Sequence, residues 1–130
     1  MDFYETSYIR LRMLAPALDT LRAPARLPLA PELLLRLTPL DQGRFSQSVQ
    51  LDFSAADGGG WREPRLTLRL YHDLRLAEAL SCCRERLPCG HYLDRTQPGL
   101  TELEWRWRLN AFLHRLLGYC LKQGCRLPPA

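Results

Sequence analysis

The stretch PRLTLRLYHDLRLAEALSCC, residues 64–83, constrains this chain more than any other. Leu66, Leu68 and Leu70 fall on one face of an extended chain, and Thr67, Arg69 and Tyr71 on the other. Carried unbroken to Leu80, the alternation would make a strand of more than ~50 Å at ~3.3 Å per residue. That is too long for a domain of 130 residues. The chain therefore reverses near His72-Asp73, and a second strand is expected over about 74–82. Asp73 suits such a reversal because its short side chain bonds nearby backbone. A hairpin here commits the chain to an antiparallel sheet with one apolar face, which other elements must cover.

The flanking segments supply the rest of that architecture. ELLLRLTPL (32–40) and RFSQSVQLDF (44–53) flank Asp41-Gln42-Gly43 and read as a second hairpin. In the latter segment Phe45, Val49, Leu51 and Phe53 share one parity, against Ser46, Ser48, Gln50 and Asp52. Pro39 suits a strand end or edge. Tyr4, Tyr8, Leu11 and Ala15, with Leu14 and Leu18, form an apolar helical stripe over 3–18, ending or kinking near Ala15 because Pro16 follows. Asp2 and Glu5 have capping-box spacing. Thr101 caps a closing helix with Glu104 three residues on; Trp105, Leu109, Phe112, Leu113, Leu116, Leu117 and Cys120 line it, and Gly124 stops it. The expected fold is a single two-layer α+β domain over 1–130: N-terminal helix, four-stranded antiparallel sheet, long C-terminal helix. Residues 19–31 are expected to be a Pro-rich linker, 56–61 a mobile loop around Asp57-Gly58-Gly59-Gly60, and 126–130 a tail.

Composition narrows the class. Hydrophobic residues make up 46% and charged residues 25%, as in ordinary globular domains. No apolar run approaches the ~20 residues of a membrane helix, and MDFYETSYIRLR lacks the pattern of a signal peptide. A cytoplasmic protein with no membrane role is expected. The net charge of +4 rests on seventeen Arg and one Lys, with Asp and Glu scattered among them. Nucleic-acid readers usually cluster such charge, so no DNA partner is expected.

Arg69-Leu70-Tyr71-His72-Asp73 with Ala77-Glu78, and Leu109-Asn110-Ala111-Phe112-Leu113 with Leu117, Cys120-Leu121 and Gly124, resemble the YqiB-like family of small bacterial proteins of unknown function. Glu5, Tyr8, Leu11 and Leu14 are similar to that family's opening helix. The resemblance covers most of the chain and is weak over 19–62. The chain departs from the family pattern at Arg95, Thr96 and Gln97, where the family has Tyr-Pro-Asn. It also departs at Trp105-Arg106 (Glu-Lys), Leu116 (Trp) and Ser7 (Asn). The resemblance brings no activity with it, only a genomic association with nucleotide hydrolases.

Four constellations carry the candidate chemistry. His72-Asp73 has no H-x-x-x-H or D-x-D companion. The pair is therefore expected to bond backbone at a strand end, with a ligand-contacting role as the other reading. Cys82, Cys83, Cys89 and His91, with Cys120 or Cys125, have no zinc-knuckle spacing; buried thiols are expected, and neither a metal nor a cofactor. Thr67, Arg69, Tyr71 and Arg75 line one sheet surface if the hairpin is regular, extended by Arg62, Arg65, Arg84 and Arg86. Arg interleaved with Tyr grips phosphate and stacks bases; a solvated sheet face is the plainer reading. Residues two apart on a helix point ~200° apart, so Trp105 takes the core and Trp107, with Ala111, His114 and Gly118, another face. That face suits a partner or dimer contact, or packs on the first helix.

The leading expectation is a non-enzymatic interaction protein, binding a protein partner or itself through Trp107, Ala111, His114 and Gly118 or through the sheet. The alternative is a nucleotide- or RNA-binding module using Arg69, Tyr71, His72, Asp73, Arg75 and Glu78. A third reading, an enzyme on a nucleotide-like substrate, would use His72, Asp73 and Glu78.

Overall fold

The computed structural model describes residues 3–30, 33–55, 61–82 and 101–124. Helix α1 (Phe3–Leu14) is followed by a short 3-10 turn (Leu18–Thr20) and by five strands: β1 (Ala25–Ala30), β2 (Leu33–Gln42), β3 (Ser46–Ala55), β4 (Trp61–Tyr71) and β5 (Leu76–Cys82). Helix α2 (Glu102–Lys122) closes the described chain. The strands form one antiparallel sheet in the order β1-β2-β3-β4-β5. The α+β class and the element order agree with the sequence. The strand count is five rather than four, because β1 lies inside the Pro-rich segment 19–31. Pro28 is tolerated there because β1 is an edge strand, paired on one side only, and the register shifts just after it. The loop expected at 56–61 falls mostly outside the described residues, with Trp61 starting β4, and the tail 126–130 lies outside them altogether.

Alternation sets the two faces. Leu27, Leu35, Leu37, Val49, Leu51, Phe53, Leu66, Leu68, Leu70, Ala77 and Ala79 are buried on one side of the sheet. Tyr8, Leu11, Leu14, Ala15 and Leu18 meet them from the α1 segment, and Trp105, Leu109, Leu113, Leu117 and Cys120 from α2. α1 packs against both α2 and β5. The register is direct: Leu37 faces Leu51, and Leu51 faces Leu66. It is broken between Pro39 and Asp41, where Leu40 is the extra residue, and between Leu51 and Phe53, where β4 carries the longer segment.

The helix ends follow their local chemistry. Pro16 lies just past α1, as its fixed φ and missing N–H require. The Thr101 hydroxyl accepts from the Glu104 N–H at 3.1 Å, and Gly124 adopts a left-handed φ of 76° after α2. Of the departures from the family pattern, Trp105 is buried in the core and Arg106 pairs with Glu102 at 3.8 Å one turn earlier. Leu116 packs against the core, and Ser7 is buried with no partner for its hydroxyl among the described residues. Arg95, Thr96 and Gln97 lie outside the described residues.

Both edges of the sheet carry a guard. β1 has Pro28. On β5, the Asn110 side chain of α2 accepts from the Ala79 N–H at 2.8 Å and donates to the Ala79 carbonyl at 3.4 Å. One buried amide thus stands in for the next strand's backbone, at an edge that would otherwise offer itself to another chain. Asn110 also donates to the Arg106 carbonyl at 2.9 Å, which fixes its orientation. The motif that carries the family resemblance on α2 contains this residue.

Candidate functional site

The β4–β5 reversal occupies residues 72–75, and it separates the candidates the sequence grouped together. The His72 N–H donates to the Phe45 carbonyl at 2.9 Å, tying the turn to the β2–β3 connection. The imidazole turns to the helix side: its Nδ1 lies 2.9 Å from the Tyr8 hydroxyl and its Nε2 3.0 Å from Gln47 Oε1. Gln47 Nε2 donates to the Leu18 carbonyl at 2.8 Å. That bond leaves Gln47 only its oxygen toward the imidazole, so His72 carries its proton on Nε2 and accepts from Tyr8 at Nδ1. The result is a four-member chain, Tyr8, His72, Gln47 and the Leu18 carbonyl, that joins α1, the turn, β3 and the 3-10 segment.

Arg75 belongs to this side as well. Its φ of 56° is left-handed, a conformation that costs a non-glycine residue about 1–2 kcal/mol, and its guanidinium lies 5.4 Å from the Tyr8 ring centroid. The expectation that Arg75 shares a surface with Thr67, Arg69 and Tyr71 is corrected, because Arg75 lies in the four-residue turn and Tyr71 pairs with Leu76, so that the even positions of β5 share the face of Arg69. Asp73 is exposed in the turn.

Burial lowers the His72 pKa below its ordinary 6.5, and Arg12 lowers it further, against the raising influence of Asp19 and Asp73. His114 is lowered too, first by burial and then by Arg10 and Arg115. The unfolded chain therefore takes up protons first as pH falls below 6.5, and the folded state loses stability until its own histidines titrate. Chemical denaturation between pH 7.5 and 5 should show this decline. His72→Gln should flatten its own share and His114→Gln the other; a decline untouched by either substitution would contradict the assignment.

The sheet face turned away from the two helices holds the other candidates. Arg69 donates to Ser46 Oγ at 3.2 Å and contacts Ser48 Oγ at 3.4 Å, and its guanidinium lies 5.8 Å from the Tyr71 ring centroid. Glu78 stands directly opposite Arg69 in the β4–β5 register. Nearby, Asp52 has 0% exposure and accepts both arms of Arg36, at 3.0 and 2.6 Å, with Arg65 at 3.6 Å. Sequence reasoning passed over Gln47 and Asn110. Each left a legible signal: a polar side chain standing on an otherwise apolar parity or stripe.

The helix face read as an interface is largely engaged within the chain. Ala111 is buried. His114 lies 5.1 Å from the Phe3 ring centroid, and its carbonyl accepts from Arg10. A Cβ on Gly118 would meet the Arg10 guanidinium at 2.8 Å. Trp107 remains 59% exposed, its ring 5.6 Å from Phe3, and Leu103 one turn earlier is 78% exposed.

Cys83, Cys89, His91 and Cys125 lie outside the described residues. Among the described residues no three His, Cys, Asp or Glu side chains gather as a metal site, and no helix is long and apolar enough to cross a membrane.

An antiparallel sheet covered on one face by two helices, guarded at its edges by Pro28 and Asn110, defines a small α+β protein. Residues 10–126 match the family described as "Protein of unknown function (DUF1249)", and the chain belongs to that family. It is 29% identical over 129 residues to the uncharacterized protein YqiB of Escherichia coli K12, spanning 99% of this chain and 91% of the relative. The YqiB proteins of the O6:H1 and O157:H7 strains match equally. The resemblance seen in the two motifs is therefore a family membership, and the family's description attaches no activity to it. No solved structure matches the chain.

Proposed function

We propose that this is a non-enzymatic cytoplasmic interaction protein whose docking surface is the exposed start of α2, Leu103 and Trp107 with Phe3 of α1. The observation that carries the reading is the exposure of Trp107, 59%, beside Leu103 one helical turn away. Large aromatic side chains held ready at a surface are the usual anchors of protein interfaces. Phe3 and His114 brace the Trp107 side of the helix, so little side-chain freedom remains to be lost on binding. His72, the strongest acid/base candidate in the sequence, is already used at both ring nitrogens inside the fold, which favours a structural over a catalytic role. The occupant is another protein or a second copy of this chain.

Trp107→Ala should weaken association by at least about thirtyfold, a loss of ~2 kcal/mol. Thermal stability should change little, since the side chain is mostly exposed. Ile9→Ala, on the exposed side of α1, serves as the control. Affinity purification of each variant from its own cells, read against sedimentation of the pure chains, makes the comparison. Equal retention of the associated chain by Trp107→Ala and Ile9→Ala would remove the surface from consideration.

A further inference from the structure

We infer that the sheet face turned away from the two helices carries a second binding site, at Arg69 with Ser46 and Ser48, that takes a single phosphoryl group on a small molecule. It is separate from the Trp107 surface and stands or falls independently of it. Arg36, Arg65 and Arg69, on one face of the sheet, differ in what they meet. Arg36 and Arg65 converge on Asp52, a carboxylate with no exposure, which offsets part of their charge. Arg69 has two neutral hydroxyls and a tyrosine ring beside it. Among the described residues no carboxylate lies within ion-pair distance of it.

What surrounds Arg69 is a surplus of donors. A guanidinium has five N–H groups, and a serine oxygen that accepts from it keeps its own O–H to give. Arg69, Ser46 and Ser48 together therefore present spare donors, with Glu78 across the strand but beyond ion-pair distance, and the Tyr71 hydroxyl is a further donor on the same face. Planar guanidinium N–H groups match the oxygens of a phosphoryl group better than any other common anion except a carboxylate. The serines hold the fork in place, which lowers the entropic cost of binding.

The same contrast selects the size of the ligand. A polynucleotide needs several unbalanced cations along its backbone. Here the single carboxylate of Asp52 lies between Arg36 and Arg65, and Glu78 stands across the strand from Arg69, so acidic groups interrupt any run of cations. A face whose arginines are interspersed with carboxylates suits one phosphoryl group at Arg69 rather than a chain of them. Glu78 is also a brake: its charge opposes the anion, so its removal tightens binding.

The test is titration of the full chain with inorganic phosphate and with adenosine monophosphate, followed by calorimetry and by amide shifts of β3 and β4. Wild type should bind both if the phosphoryl group is the whole determinant, and the nucleotide alone if its base or sugar adds contacts. Arg69→Gln should weaken binding by roughly tenfold or more, and Glu78→Gln should tighten it several-fold. Arg44→Gln, at the exposed β2–β3 turn, should leave it unchanged. The logarithm of affinity against that of salt should have a slope near one contact, about −1. The Glu78→Gln arm keeps the test decisive even if Arg69→Gln fails to fold. No binding of either ligand by wild type, equal binding by Arg69→Gln, or no gain in Glu78→Gln would overturn the inference. Tighter binding of single-stranded RNA with a slope of several contacts would overturn it in favour of a polyanion site.

Discussion

Asn110→Leu is expected to destabilise the fold by about 3 kcal/mol, although leucine matches asparagine in size and suits the helix better. The loss comes from β5. The Ala79 N–H and C=O would be left facing apolar atoms in a place closed to water, since Asn110 itself is only 2% exposed. An orphaned buried N–H costs about 1–3 kcal/mol, and the longer bond to the carbonyl adds about 1. The Arg106 carbonyl loses least, because a helical carbonyl at that position already has a backbone partner. Asn110→Asp is expected to be worse at neutral pH. It keeps an acceptor for the Ala79 N–H but sets a buried negative oxygen against two carbonyls. Urea denaturation with an unchanged slope reads the stability, and amide exchange at Ala79 reads the site. A change below about 0.5 kcal/mol, the range of an ordinary surface substitution, would mean that the amide clip contributes little.

Asp52→Ala is expected to cost about 2–3 kcal/mol. Breaking a buried ion pair by removing one partner typically costs ~3–5 kcal/mol. The lower figure follows because the Arg36 side chain keeps 20% of its exposure and Arg65 keeps 50%, so both recover part of their hydration. Arg36 dominates, since its two bonds are 3.0 and 2.6 Å against 3.6 Å for Arg65. The double variant Asp52→Leu with Arg36→Met should recover most of the loss, because replacing a whole buried pair with apolar groups is far milder than orphaning one charge. A double-mutant cycle in urea separates the two cases. If Asp52→Ala and the double variant were equally unstable, the cost would lie in packing rather than in the stranded guanidinium.

Much of the fold was legible because its signals are local. The Leu66-Leu68-Leu70 alternation, the reversal at His72-Asp73 and the Thr101 cap each depend on a few neighbouring residues, and each is in place. β1 was not legible. ARLPLA offers a weak alternation around a proline, and only its pairing with β2, Leu27 opposite Leu35, makes it a strand. The site was legible in its residues but not in their grouping. Arg69 and Arg75 have the same parity in the sequence, yet Arg69 lies on the sheet face away from the helices while Arg75, in the four-residue turn, lies against Tyr8. Gln47 and Asn110 stand out in the sequence as polar residues on apolar faces, but their partners, the Leu18 carbonyl and the Ala79 backbone, do not. Those contacts span 29 and 31 residues, and no local pattern specifies them.

The central claim is that Leu103, Trp107 and Phe3 form a surface another chain covers. Native mass spectrometry of gently purified wild type and Trp107→Ala tests it most directly, since it weighs intact assemblies. The account predicts that wild type carries a second polypeptide, a partner or another copy, and that Trp107→Ala appears chiefly as the single chain. A wild type seen only as a lone 130-residue chain, or an assembly kept equally by both proteins, would contradict it.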